Sequence, residues 1–139
     1  MKNILIDTDV IIDFLLDRQP FSNDSTRIFE LCEKRIINGY VTAVMLSNIY
    51  YLLRKIAKHE KIIDSIKKLL NIVDIAIIDR KSVLNALNSE FKDFEDALQN
   101  FSTIPEKQFD VIITRNIKDY KASKVSIMTP ETYLKSLNI

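Results

Sequence analysis

The 139 residues suffice for one domain with a buried core, and 20 basic against 19 acidic residues leave a formal net charge of +1. A chain so balanced does not grip nucleic acid through its overall field, although a local basic patch stays open to it. One glycine, Gly39, excludes glycine-rich phosphate loops, one histidine, His59, argues against a histidine-centred metal site, and one cysteine, Cys32, has no internal disulfide partner.

In chain order, NILID (residues 3–7) is apolar from Ile4 to Ile6 and predicts a short strand buried on both faces. A helix over about 9–17 follows, with Thr8 or Asp9 as its cap. SNDSTRIFELCEKRII opens on Ser and Asp cap candidates and sets Ile28, Phe29, Leu31 and Cys32 on one stripe, so Cys32 reads as core in a reducing compartment. Gly39 ends that pattern, and YVTAV is the expected second strand. Leu46, Ile49, Leu53 and Ile56 predict an amphipathic helix over 45–58, and Ile62, Ile63, Ile66, Leu69 and Leu70 predict the next. His59, between them, reads as a solvated helix end. VDIAIID is a third strand, and Asp79 caps a helix through Val83, Leu84 and Leu87. FKDFEDALQNF sets Phe91, Phe94, Leu98 and Phe101 along one helical face. DVIIT and VSIMT are strands four and five, and PETYLKSL is a closing helix with Pro130 in its first turn.

Strands alternating with helices predict an α/β fold, one domain over residues 1–139, with a parallel sheet of about five strands between two helical layers. No apolar run approaches the roughly 20 residues of a membrane span, and the N-terminal residues lack a signal peptide's layout. A cytoplasmic protein without membrane contact is expected.

In such folds ligands bind outside the carboxyl ends of the strands, where strand order reverses. Asp7 directly follows strand one. Asp93 and Asp96 lie opposite the phenylalanine stripe of their helix, where a cap and a first-turn acid would also stand. Thr114, Asn116 and Asp119 follow strand four. Together they bring oxygen ligands from three chain regions to one edge, the donor type that Mg2+ and Mn2+ take. Such an ion delivers hydroxide and stabilises charge on a phosphodiester.

IDTDV resembles the DxDx(V/T) box of haloacid-dehalogenase-type phosphatases, but after Thr114 only VSIMT is left as a strand and no acidic pair follows it. A receiver domain would want a lysine after strand five, where Met128, Thr129 and Pro130 stand. ILIDTDVIIDFLLDR, SNIYYL, KDFEDALQ and ITRNIKDY, in that order, resemble a PIN domain, the fold of VapC-type toxins and related Mg2+-dependent ribonucleases. The usual opening is hhhDTNhhhD, and Asp9 stands at the customary Asn.

The resemblance implies a PIN-like three-layer fold, an Mg2+ or Mn2+ cofactor and hydrolysis of RNA. The family's first acid falls on Asp7, its second on Asn48, its third on Asp96 and its fourth on Asn116. Two acids are thus amides, and Asp119, at the same strand edge, is the nearest compensating carboxylate, ahead of Asp9 and Asp93. Asp7, Asp96 and Asp119 are therefore the implied metal-facing groups, with Asn48 and Asn116 orienting ligands and Thr114 orienting Asp7 or a water. Arg115, Lys118 and Lys121 are candidates to hold backbone phosphates. Tyr50 and Tyr51 are candidates to stack bases, with at least one expected in the core. The resemblance also implies a small antitoxin partner that occludes the cleft, and a homodimer. The two amides support an alternative, a catalytically weak or inactive PIN-fold module that binds RNA or protein.

Overall fold

In the computed structural model, which describes residues 1–105 and 107–137, Ile4, Leu5 and Ile6 are fully buried. They form β1 (Asn3–Ile6), the centre of a five-stranded parallel sheet. The other strands are β2 (Asn38–Val41), β3 (Asp74–Ile75), β4 (Val111–Ile113) and β5 (Ser126–Met128), in spatial order β3-β2-β1-β4-β5. Leu5 pairs with Tyr40 on one side and Ile112 on the other. A strand flanked by strands and covered by helices has no wet face, which is why its sequence is an apolar run rather than an alternation. β3 and β5 lie at the edges and are correspondingly more exposed.

The helices are α1 (Thr8–Leu15), α2 (Ser22–Glu33), α3 (Ala43–Leu53), α4 (His59–Leu69), α5 (Arg80–Leu87), α6 (Phe94–Phe101) and α7 (Pro130–Ser136). They complete the expected three-layer α/β/α architecture, with α2 packed on α1 and α7, and α5 on α6. A satellite core of Ala86, Ala97 and Leu98, flanked by Val83, Phe91 and Phe101, holds α5 and α6 together.

Several boundaries differ from the sequence expectation for local reasons. Gly39 lies inside β2 instead of before it. A Cβ there would stand 2.6 Å from Cys32 Sγ and 3.0 Å from Val73 Cγ1, so the glycine permits close approach of β2 to α2. Cys32 is buried as expected, and burial pushes its thiol up to about 12. The second strand stops at Val41 because Thr42 caps α3, its hydroxyl accepting the Met45 N–H at 3.1 Å. That helix ends at Leu53, so Ile56 falls outside it and is 69% exposed. Asp93 caps α6, which leaves Phe91 before the helix and Phe94 half exposed in its first turn. Asp79 and Ser82 form the reciprocal capping box at α5, and Pro130 opens α7. α2 has no side-chain cap from Ser or Asp; its N-cap residue is Phe21. No helix among the described residues is long and apolar enough to cross a membrane.

Strand order reverses between β1 and β4: the chain builds outward to β3 on one side, then crosses to β4 and β5 on the other. Asp7 and Thr114 stand at the carboxyl ends of these two strands. The Asp7 N–H donates to the Ile113 carbonyl at 2.9 Å, and the Thr114 N–H to the Met128 carbonyl at 3.0 Å.

Candidate active site

Asp7 occupies the N-cap of α1, the place expected for Thr8 or Asp9. Its Oδ1 accepts the Thr8 N–H at 2.8 Å, while Oδ2 accepts the Thr114 hydroxyl at 2.9 Å. Capping and facing the strand edge are not competing roles here; one carboxylate does both, with an oxygen for each. Thr114 is fully buried and in turn accepts the Asn116 N–H at 3.0 Å. Burial raises the Asp7 pKa, against the opposing effect of its two donors.

Asp9 leans the other way, across to the chain after β4. Its Oδ2 accepts the Arg115 N–H at 3.0 Å and the Asn116 amide at 3.2 Å. Its Oδ1 is buried without a hydrogen-bond partner. Burial first, then the neighbouring Asp7 charge, pushes its pKa up to about 6.

Asp96 arrives from α6. Asp93 Oδ1 accepts the Asp96 N–H at 2.9 Å, so the capping role expected for Asp93 holds and Asp96 sits in the first turn. The helix is tied to the sheet by a buried contact, the Thr42 hydroxyl donating to Gln99 Oε1 at 2.6 Å. Thr42 therefore sets the start of α3 and the position of α6 together. Burial, then the charges of Asp93, Asp7 and Asp119, push the Asp96 pKa up to about 7.

Asp7, Asp9, Asn48, Glu95, Asp96, Asn116 and Asp119 all line one cleft of ≈ 750 Å³. The cleft thus unites the predicted Asp7, Asn48, Asp96, Asn116 and Asp119, with Thr114 directly behind Asp7. Its remaining lining is mainly apolar, with Ile12, Leu16, Tyr51, Leu52 and Ile56 beside the cationic Arg18 and Lys55, and Tyr51 is 69% exposed. Tyr50 is half buried, its hydroxyl 2.8 Å from Nδ1 of the exposed His59.

The basic residues after β4 separate. Arg115 is turned away from the cleft: Nε donates to Asp13 Oδ2 at 2.6 Å, Nη2 to Oδ1 at 3.2 Å, and the guanidinium lies 3.9 Å from the centre of the Phe21 ring. Asp13 is fully buried and also pairs with Arg18 at 3.0 Å. Lys118 and Lys121 are exposed and border a depression of ≈ 210 Å³ that shares Asp96 and Asp119 with the acidic cluster.

Three contributors escaped the sequence reading. Glu95 accepts the Asn48 amide at 2.8 Å. Gln99 anchors α6. Tyr120 is 2% exposed, and its hydroxyl lies close enough to Asp7 to help hold that carboxyl's pKa down. The geometry nonetheless falls short of a hydrogen bond, which leaves the phenol donor unspent. Burial, then Asp7 and Asp96, keep the phenol protonated well above its usual range. Tyr120 closes ITRNIKDY, but a tyrosine after a strand carries no signal that it will be buried beside the central acid.

The donors are all oxygens, the set hard divalent cations take. Among the described residues no three His, Cys, Asp or Glu side chains converge closely enough to enclose an ion by themselves. Mg2+ is ordinarily held by one or two carboxylates and several retained waters, so a cleft of separated carboxylates fits it. The raised pKa values of Asp7, Asp9 and Asp96, and the unpaired Asp9 Oδ1, are the strain that an added cation relieves.

Comparison with known proteins agrees with this architecture. The family model for the PIN domain matches residues 3–118. Among solved structures, FitAB bound to a DNA fragment superposes with a TM-score of 0.67 at 16% identity, covering 91% of this chain and 94% of that one. VapBC2 from Rickettsia felis, bound to a fragment of its promoter, gives 0.68 at 15% identity, covering 90% and 96%. VapBC-1 from nontypeable Haemophilus influenzae gives 0.64 at 13% identity, covering 93% and 98%. At these identities the likeness is one of fold. No curated protein sequence matches the chain significantly.

Proposed function

This chain belongs to the PIN domain family, and we propose that it is a Mg2+- or Mn2+-dependent endoribonuclease, the toxin half of a toxin–antitoxin pair acting in the cytoplasm. The observation that carries the reading is the meeting of Asp7, Asp96 and Asp119, from three separate elements, in one cleft at the strand-order reversal. Asp7 and Asp96 would hold the cation, with Asp119 beside them. When bound, it would supply an activated water and stabilise the charge that develops on a phosphodiester oxygen.

The surrounding residues serve that arrangement. Thr114 fixes the rotamer of Asp7 through its hydroxyl, and Asn116 reinforces Asp9. Lys118 and Lys121 flank the acids on the solvent side and take the backbone phosphates on either side of the scissile bond. Arg115, spent on Asp13 and Phe21, braces the β4 exit through which Asp9, Asn116 and Asp119 are aligned. Tyr51, exposed on the opposite wall, presents a ring on which a base can stack.

The solved structures with this fold include VapBC2 and VapBC-1, and the motifs of this chain resemble those of VapC-type toxins. By analogy, the apolar wall beside the acids accepts a small antitoxin, and the chain dimerises. The direct test is Mn2+ titration of the purified protein by calorimetry beside Asp7→Asn and Asp96→Asn, followed by an RNA-cleavage screen in Mn2+. Binding lost in both variants, with metal-dependent cleavage, supports the proposal. Absence of binding in the folded wild type overturns it.

A second reading has its own support. Asn48 and Asn116 are amides where the family resemblance expects acids, and the carboxylates do not enclose an ion unaided. That combination favours a PIN-fold binding module for RNA or protein without turnover, and RNA retention without cleavage would identify it.

A further inference from the structure

The acidic cleft is lopsided in its backbone origins. Asp7 and Asp9 come from the β1–α1 junction, Asp119 from the turn after β4 and Asp96 from α6. The wall built by α3 brings Asn48, Tyr51, Leu52 and Leu53 to the cleft, none of them acidic. Glu95 fills that gap from the opposite side. Adjacent residues on a helix point about 100° apart, so Glu95 and Asp96 diverge from one turn of α6. Asp96 shares the charge environment of Asp7 and Asp119, whereas Glu95 reaches α3 and accepts the Asn48 amide at 2.8 Å. An amide donating to a carboxylate holds it in place without cancelling its charge.

One observation outside this pair points to an occupant between the walls. Asp9, which lines the same cleft, has its Oδ1 buried with no donor. A buried carboxylate oxygen is costly to leave unpaired, and a hydrated cation supplies it with positive charge.

We infer that Glu95 supplies the negative charge on the α3 side of the cation site, and that Asn48 is the positioning residue that holds it there. The inference rests on the metal-dependent reading above. It assigns the charge missing at Asn48 to a residue 47 positions further along the chain. Outer carboxylates of this kind typically contribute about tenfold or more to metal affinity.

The experiment is Mn2+ titration of the full chain by calorimetry and by the electron paramagnetic resonance signal of free Mn2+. It compares wild type, Glu95→Gln, the exchange Asn48→Glu/Glu95→Gln, and Asp7→Asn and Asp96→Asn as references. Thermal melts without metal confirm that each variant is folded. Glu95→Gln is expected to weaken Mn2+ binding about tenfold, and the exchange to return within about threefold of wild type, because the charge is restored to the same wall from α3. Glu95→Gln binding like wild type, while Asp7→Asn and Asp96→Asn do not bind, overturns the assignment of Glu95 and leaves the metal site intact. Weakened binding that the exchange fails to restore overturns the placement of that charge on the α3 side of the site. A wild type that does not bind, or reference variants that bind unchanged, overturns the metal-dependent reading and this inference with it.

Discussion

Replacing Asp96 with Asn should make the metal-free protein more stable at pH 8 while removing its response to Mn2+. The Asp96 pKa is raised from 3.8 to about 7, first by burial and then by Asp93, Asp7 and Asp119. A raised carboxyl favours the folded state in its protonated form. That contribution is fully present below about pH 3.8 and is lost as the pH rises through 7. At pH 8 the native protein therefore carries a charge it would be more stable without. Taken at face value the displacement corresponds to about 4 kcal/mol. Asp96 is only half-buried, and screening of exposed charges brings the usable figure to about 1 kcal/mol. Losing a negative charge from the first turn of α6 takes back about 0.3 kcal/mol. The net gain for a chain of this size is about 2 °C in Tm.

The assay is thermal unfolding of wild type and Asp96→Asn across pH 4 to 8, each without metal and with Mn2+. The variant should melt higher at pH 8, and its advantage should shrink as the pH falls toward 4. Mn2+ should raise the wild-type Tm and leave the variant unmoved, because a ligand that binds only the folded state stabilises it by mass action. A variant less stable than wild type at pH 8, or an advantage that persists unchanged at pH 4, would refute the electrostatic account of this cleft.

Thr114→Val removes the hydroxyl donor that lowers the Asp7 pKa. Mn2+ affinity near pH 6 should fall about tenfold, with the loss diminishing at higher pH, as read from titrations over a pH series. Arg115→Ala leaves the fully buried Asp13 with Arg18 alone; urea denaturation should show a loss of about 3 kcal/mol, and Arg115→Lys should recover only part of it. Gly39→Ala drives a methyl against Cys32 Sγ and should cost about 2 kcal/mol in the same assay. In the Cys32→Ala background the cost of Gly39→Ala should shrink, and equal costs in both backgrounds would reject the contact as its cause.

Much of this architecture was legible because it is written in local periodicity. The uninterrupted apolar run of β1, the stripes of α2 and α4, the caps at Asp79 and Asp93 and the helix-opening Pro130 are properties of a few neighbouring residues. Alternating strands and helices then leave a parallel sheet as the economical arrangement, and the strand-edge rule selects Asp7 and the segment after β4. At Gly39 a tertiary contact overrides the local pattern. Gly39 reads as a break yet sits mid-strand because Cys32 packs over it. Ile56 keeps the spacing of α3 yet lies beyond its end.

The sequence by itself determined the order of elements, the sheet class and the presence of an acid at the central strand's exit. Only the tertiary structure decided which side chains share the cleft. Arg115 and Lys118 are three residues apart in one loop, but one is spent on a buried aspartate and the other faces solvent. Asn48 and Glu95 are 47 residues apart, and they meet because Thr42 and Gln99 lock α6 against the start of α3. Periodicity states which face of a helix turns inward. It does not state which helix that face will meet, because the crossing is set by the packing of the whole core, and partner choice at a polar site is a consequence of that crossing.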